Sequence, residues 1–204
     1  MKKSIFSIIG VLFLASFMFV ACEETEGVAD PYTDWEARNQ AYIDSIAEVA
    51  KNNPSEWKIF PSYKLPTSFD VALMDVNEKI YCKVLEKGDG NITPLFTDVV
   101  SVNYRGKLIP LYDGSEYIFD QNYLGELNPD VAVPSKMVLY GVVDGYLTEL
   151  IVGWQTALMQ MKKGDRWEIY IPSDLGYGEA GSAGIPGNST LIFDVRLDNI
   201  YPLE

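Results

Sequence analysis

The chain has 204 residues, of which 48% are hydrophobic and 13% aromatic, so it has enough apolar material for a packed core and is not disordered throughout. Its formal net charge of −13 disfavours binding to the phosphate backbone of nucleic acids. The sequence contains no histidine and two cysteines. This excludes Ser-His-Asp and Cys-His catalysis, zinc or haem held by histidine, and sites built from four cysteines of one chain.

Residues 1–21 have the pattern of a secretory signal peptide. Two lysines at positions 2 and 3 precede an almost unbroken apolar run over residues 5–21, which is short for a membrane-spanning helix. The run ends in Phe-Val-Ala-Cys. This ending resembles a bacterial lipobox, in which cleavage before the cysteine frees that residue for acylation. We therefore expect a lipidated Cys22 at the bacterial outer membrane, with the domain facing the periplasm or the cell surface; an uncleaved membrane anchor is the alternative.

An acidic tether is expected over residues 22–33, because residues 23–27 read Glu-Glu-Thr-Glu-Gly. Acidic residues next to a lipidated cysteine also resemble the surface-export signals of some outer-membrane lipoproteins. The second cysteine, Cys82, lies in an apolar strand pattern. With Cys22 acylated, Cys82 has no partner for an intrachain disulfide, and we expect it to be buried.

Residues 34–78 are predicted to hold one amphipathic helix and a connector. The helix runs from residue 34 to about residue 51, with Thr33 or Asp34 as its cap. Its apolar face is formed by side chains at helical spacing: Trp35, Tyr42, Ile46 and Val49. Residues 58–68 include two prolines and are predicted to be an extended connector. The helix either docks on the following domain or serves as a dimerisation arm.

Alternating apolar residues predict several strands in the rest of the chain, residues 79–204. These segments are 79–85, 100–105, 167–171 and 191–197. One helix is predicted over residues 154–163, and its apolar stripe consists of Trp154, Leu158 and Met161. Several strands with a single helix favour an α+β domain with an antiparallel sheet that is covered on one side.

Residues 176–181, Gly-Tyr-Gly-Glu-Ala-Gly, match the GxGxxG pattern of dinucleotide-binding proteins. That pattern places a pyrophosphate at the N-terminus of the helix that follows it. Residues 182–187, Ser-Ala-Gly-Ile-Pro-Gly, have the composition of a loop, so no helix is expected there. We therefore reject a dinucleotide site.

Six sequence blocks, taken in order, carry the most informative signal. They span residues 102–106, 118–120, 153–158, 161–166, 171–178 and 185–195. As an ordered set they resemble the FKBP-type peptidyl-prolyl isomerases, the macrolide-binding immunophilins, from about residue 79 to residue 201. The resemblance implies an FKBP-like α+β fold, a curved antiparallel sheet wrapped around one short helix. This agrees with the independent strand and helix pattern.

The resemblance also implies a pocket between the helix and the sheet. The implied catalytic residues are Tyr104, Phe119, Asp120, Trp154, Tyr177 and Phe193. The implied substrate-binding residues are Leu150, Ile151 and Ile185. Trp154 is expected at the pocket floor, and Tyr177 is expected to donate its hydroxyl to a substrate carbonyl beside Asp120 at the polar rim. Ile151 is expected to offer a backbone N–H.

The implied activity is cis-trans isomerisation of proline-containing client proteins or peptides, with macrolides as a further ligand class and no metal or cofactor. Rotation about a peptide bond faces a barrier of about 18–20 kcal/mol, and a dry pocket that binds the twisted, less polar amide lowers it without any imidazole. Two alternatives stay open. One is a non-catalytic FKBP-like module that binds peptides or proteins, and the other is a surface lipoprotein that binds glycans through exposed aromatic residues.

Two segments are longer than the compact family pattern, one between residues 106 and 119 and an insertion around residues 121–149. In the insertion, the Asp-Gly pair at residues 144–145 lies between apolar runs and predicts a β-hairpin. We expect this hairpin at the pocket rim, where it gates or occludes the site. The strand aromatic of the family is not matched at residues 137–138, and Ser182 stands at the position of a family loop histidine.

Overall fold

The computed structural model describes residues 29–68, 70–143 and 146–202. The predicted signal peptide, Cys22, most of the acidic tether and the Asp-Gly pair of the hairpin lie outside these residues. The described part contains two α-helices, α1 (Trp35–Asn52) and α2 (Val152–Leu158). Its β-strands are β1 (Trp57–Pro61), β2 (Lys79–Glu86), β3 (Val99–Lys107), β4 (Ile118–Gln121), β5 (Ser135–Val138), β6 (Tyr140–Val143), β7 (Tyr146–Glu149), β8 (Arg166–Ile171) and β9 (Leu191–Tyr201). Single 3₁₀ turns cover Val76–Glu78 and Ser173–Leu175.

Most of these strands form one antiparallel sheet with the order β1-β2-β8-β9-β3-β4, in which β5 also pairs with β3. The strands β3 and β9 pair along their length, from Val99 opposite Tyr201 to Lys107 opposite Ile192. The short helix α2 packs against β1, β2 and β8. The strands β6 and β7 form a separate two-stranded sheet. This is the predicted α+β architecture, with one large antiparallel sheet, one short helix and a preceding N-terminal helix; the β6–β7 pair adds a second, small sheet.

The helix α1 docks on the sheet domain through buried residues spaced by four or seven positions. Its buried residues are Trp35, Asn39, Ile43 and Ala50. Tyr42 and Ile46 are partly buried against the same core, as predicted, but Val49 is 43% exposed. The prediction for Val49 is wrong because its neighbour Ala50 faces the domain instead. Among the described residues, neither helix is both long and apolar enough to cross a membrane.

The predicted connector begins with a strand. The strand β1 pairs antiparallel with β2, and two of its aromatic side chains pack on β8. The Trp57 ring stacks on Tyr170 with centroids 5.5 Å apart, and the Phe60 ring stacks on Trp167 at 5.9 Å. The connector prediction for residues 58–68 is therefore only partly right. The sheet starts ahead of residue 79 because these aromatic side chains have a buried surface to pack against.

The helix α2 is shorter than the predicted helix over residues 154–163. It ends at Leu158, and the next residues turn tightly through hydrogen bonds from Gln160 N–H to the Ala157 carbonyl and from Met161 N–H to the Leu158 carbonyl. Such three-residue spacing is a 3₁₀ geometry, which tightens a helix end. Met161 is still fully buried, so its predicted place in the core is correct although it lies beyond the helix.

Cys82 is fully buried in β2, as predicted. Burial raises the pKa of its thiol well above the ordinary value. The thiolate is the reactive form of cysteine, so a thiol that resists ionisation is inert. Cys82 is therefore a core residue.

Candidate active site

A cavity of about 320 Å³ lies between α2, the strands β3, β4 and β9, and the loop that follows β8. All nine site residues named from the sequence line it: Tyr104, Phe119, Asp120, Leu150, Ile151, Trp154, Tyr177, Ile185 and Phe193. The remaining lining residues are Met137, Glu149, Ser182 and Ala183. The fold therefore brings the whole predicted set to one place.

The aromatic walls of the cavity are arranged around Trp154, which is 4% exposed. Its ring meets Tyr104 edge to face at 5.4 Å and 88°, and Phe193 at 5.0 Å and 81°. Phe119 continues this arrangement against Phe193 at 5.4 Å and 85°. Edge-to-face contact is a favoured geometry for aromatic pairs. A Cβ at Gly106 would lie 2.5 Å from Phe119 and 2.6 Å from Phe193, so the bare backbone of β3 makes room for both rings.

The polar part of the cavity consists of Tyr104, Asp120 and Tyr177. The Tyr104 hydroxyl donates to Asp120 Oδ2 at 2.8 Å, and Asp120 is exposed at the rim. Burial, followed by the hydrogen bond to Asp120, raises the pKa of Tyr104. Burial and the nearby charge of Asp120 also raise the pKa of Tyr177, which is 38% exposed. Both hydroxyls therefore keep their protons over a wider pH range than free tyrosine, and the Tyr177 hydroxyl is a donor beside Asp120.

Two further donors lie at the start of α2. The buried Nε1–H of Trp154 has no hydrogen-bond partner among the described residues. Buried N–H groups are normally paired, so this unpaired donor is an exception. Ile151 occupies the N-cap position of α2, with φ −56° and ψ 148°. N–H groups at a helix start lack partners within the helix, so backbone donors also lie beside the cavity.

The loop over residues 176–187 carries Tyr177 and Ile185 and is tightly folded. Ser182 and Ile185 exchange two backbone hydrogen bonds of 2.9 Å each. Gly181 has φ 68°, and a Cβ there would lie 2.4 Å from the Ile185 carbonyl oxygen, so glycine is required for this turn. The GxGxxG pattern is followed by this turn and not by a helix, as predicted.

The family model of the FKBP-type peptidyl-prolyl cis-trans isomerases matches residues 90–198. The chain belongs to this family. Relatives include FkpA from Escherichia coli, which is 41% identical over 121 residues, or 59% of this chain and 37% of FkpA. The isomerase Mip from Coxiella burnetii is 40% identical over 119 residues, or 58% of this chain and 43% of Mip. The chain thus matches less than half the length of each of these relatives.

Solved structures of peptidyl-prolyl cis-trans isomerases support the same fold. The crystal structure of Escherichia coli FkpA has a TM-score of 0.52 at 32% identity and covers 83% of this chain and 62% of that chain. The crystal structure of a peptidyl-prolyl cis-trans isomerase from Pseudomonas syringae pv. tomato has a TM-score of 0.53 at 26% identity. It covers 86% of this chain and 100% of that chain. These likenesses confirm the predicted FKBP-like fold.

The hairpin predicted in the FKBP-like domain is present. The strands β6 and β7 pair antiparallel, from Tyr140 opposite Glu149 to Val143 opposite Tyr146. Glu149, the last hairpin residue, lines the cavity, and its Oε1 lies 3.5 Å from Lys64 Nζ, so the C-terminal end of the hairpin lies at the cavity. Among the hairpin residues whose side chains are described, only Glu149 lines the cavity. The hairpin side chains that the structure describes therefore do not fill the cavity.

Asn122, at the end of β4, was not predicted as a site residue, yet it fixes one wall. Its Oδ1 accepts the Tyr104 N–H at 2.9 Å, and its own N–H donates to the Tyr104 carbonyl at 3.1 Å. Its Nδ2 donates to the Val102 carbonyl at 2.9 Å and to Ser135 Oγ at 3.0 Å. The side chain thus fills the gap where β3 changes partner from β4 to β5. An asparagine directly after the Phe-Asp-Gln of a short strand was the only sequence signal.

Proposed function

We propose that this chain is a peptidyl-prolyl cis-trans isomerase that acts on proline-containing segments of proteins. The observation that carries the proposal is the assembly of all nine expected site residues around one cavity, with edge-to-face aromatic walls and a tyrosine donor beside a carboxylate. Family membership supports the same reaction.

The geometry suits a reaction that breaks no covalent bond. At Xaa-Pro bonds the cis and trans forms differ by only about 0.5–1 kcal/mol, so the obstacle is the barrier and not the equilibrium. The twisted transition state loses amide resonance and has a less polar carbonyl. An apolar wall of Phe119, Trp154 and Phe193 favours that state over the planar amide, while the Tyr177 hydroxyl holds a neighbouring carbonyl. No step needs an imidazole, a nucleophile or a metal.

A proline-limited refolding reaction tests the proposal. Such reactions take tens to hundreds of seconds without a catalyst, and the full chain should shorten them. Phe119→Ala removes an aromatic wall and Asp120→Val removes the acceptor of the Tyr104 hydroxyl. Phe119 is only partly buried and Asp120 is exposed, so each change should lower turnover by more than it lowers stability. Leu124→Ala is the matched control, because Leu124 is 81% exposed and does not line the cavity. A folded wild-type chain without acceleration would contradict the proposal.

A non-catalytic peptide-binding module of the same fold is the second candidate. Two departures from the family pattern favour this candidate. Met137 lines the cavity where the family aromatic is expected, and Ser182 stands at the position of the family loop histidine. In that case proline peptides or macrolides bind in the cavity without faster isomerisation. The client proteins of an active enzyme would be chains that expose prolyl bonds.

We also propose that the protein is a lipoprotein of the bacterial outer membrane, anchored through Cys22. The support is the basic start, the apolar run over residues 5–21 and its Phe-Val-Ala-Cys ending. Wild-type protein should fractionate with membranes and carry acylated Cys22, whereas Cys22→Ser should be released or remain unprocessed. If the wild type and Cys22→Ser are both soluble and have the same N-terminus, the proposal of a lipid anchor is contradicted.

A further inference from the structure

A buried relay of hydrogen bonds joins α1 to the loop that lines the cavity. The Trp35 Nε1–H donates to Ser189 Oγ at 3.0 Å, and the Ser189 hydroxyl donates to the Pro186 carbonyl at 2.6 Å. Trp35 is 8% exposed and Ser189 is 3% exposed. Pro186 directly follows Ile185, a cavity-lining residue, so the relay ends next to the site.

Asn39, one helical turn after Trp35, makes a second connection. Its Oδ1 accepts the Thr190 N–H at 2.7 Å, and its backbone carbonyl accepts the Thr190 hydroxyl at 3.4 Å. Its Nδ2 donates to the Trp35 carbonyl at 2.7 Å. Asn39 is 2% exposed and Thr190 is 1% exposed, so removing one partner removes hydrogen bonds of buried groups.

The loop over residues 176–187 connects these hydrogen bonds of α1 to the cavity over a short distance. Ile185 is separated from Ser189 by three residues and is closed onto Ser182 by paired backbone hydrogen bonds. The Asn188 N–H donates to the Gly178 carbonyl at 2.9 Å, next to Tyr177. Position 189 is therefore linked through the loop to two cavity-lining residues, Tyr177 and Ile185.

We infer that Trp35 and Asn39 are positioning residues for the site and that α1 is part of the functional unit. They act through Ser189 and Thr190 to hold Ile185 against the cavity. The segment matched by the family model starts at residue 90, so α1 lies outside it. The expected effect of these residues on turnover rests on the proposed function. Their expected effect on the loop over residues 176–187 does not.

The test compares Trp35→Phe, Ser189→Ala and their double variant in the full chain. Trp35→Phe keeps an aromatic ring and removes the Nε1–H donor together with part of the buried indole, and Ser189→Ala removes the hydroxyl that links the donor to Pro186. Ile43→Val is the matched control, because Ile43 is a buried α1 residue that makes none of these hydrogen bonds. The measurements are amide hydrogen exchange at Ile185, the Kd of a Leu-Pro tetrapeptide, and KM and kcat for the same peptide.

Each single variant should speed exchange at Ile185 and raise Kd and KM by about 2- to 10-fold, the range expected for one lost neutral hydrogen bond, with less change in kcat. The double variant should add little to Ser189→Ala, because both changes break one relay. Unchanged exchange and Kd, or equal changes in Ile43→Val, would overturn the inference. If the wild type shows no turnover, the proposed function fails, and exchange and Kd still decide the inference.

Discussion

Replacing Asn122 with alanine should destabilise the fold by about 2–4 kcal/mol. The change removes three side-chain hydrogen bonds, to Tyr104 N–H, the Val102 carbonyl and Ser135 Oγ. Each neutral hydrogen bond contributes about 0.5–1.5 kcal/mol net, and a buried partner left unpaired costs about 1–3 kcal/mol. Val102 is fully buried, so its carbonyl has no ready access to water, whereas Ser135 is half-buried and regains a partner. The expected loss of stability is therefore larger than that of an ordinary surface substitution.

Urea unfolding of the two proteins measures this difference from the shift in midpoint at constant slope. Asn128→Ala is the matched control, because Asn128 is exposed on the same loop and its side chain only accepts the Asp130 N–H. Asn128→Ala should lower the free energy of unfolding by less than about 0.5 kcal/mol. If the free energy of unfolding of Asn122→Ala lies within about 0.5 kcal/mol of the wild-type value, the change is no larger than a surface effect. In that case Asn122 does not hold the junction between β4 and β5.

Two further predictions concern buried titratable groups. The raised pKa of Cys82 should leave it unmodified by iodoacetamide in the native chain and modified once urea unfolds it; native modification at the same rate would contradict its burial. Burial raises the pKa of Tyr81, Tyr104 and Tyr170, so above about pH 10 the unfolded chain loses protons that the folded chain keeps. The free energy of unfolding should be flat with respect to these groups below that pH and fall above it in urea titrations, and a stability that rises there would refute the assignment.

The parts of the fold that the sequence predicted are those with strong local periodicity. Val100 and Val102 alternate with polar neighbours in β3, and both are fully buried. The site residues were predictable for a different reason: seven of the nine belong to short blocks whose order along the chain resembles one family, and Leu150 and Ile151 lie just before one of these blocks. Residues such as Phe119 and Phe193 carry no functional signal alone, because an aromatic on a strand is usually core.

The parts that were missed depend on contacts between distant residues. The strand β1 includes Lys58 and ends in Pro61, a composition that resembles a connector, and proline is tolerated at a sheet edge. The relay from Trp35 to Ser189 spans 154 positions of sequence, so no local pattern predicts it. Val49 and Ala50 are neighbours on α1, and only the docked orientation decides which is buried.

Exchange NMR on a Leu-Pro tetrapeptide at equilibrium tests the central claim most directly. A catalyst speeds interconversion of the cis and trans forms and leaves their ratio unchanged when it is present in trace amounts. The account predicts exchange cross-peaks between the two forms on addition of the full chain, and their weakening with Phe119→Ala. Shifted or broadened signals of bound peptide, with no gain in the cis-trans exchange rate, would contradict isomerase activity and identify a binding module.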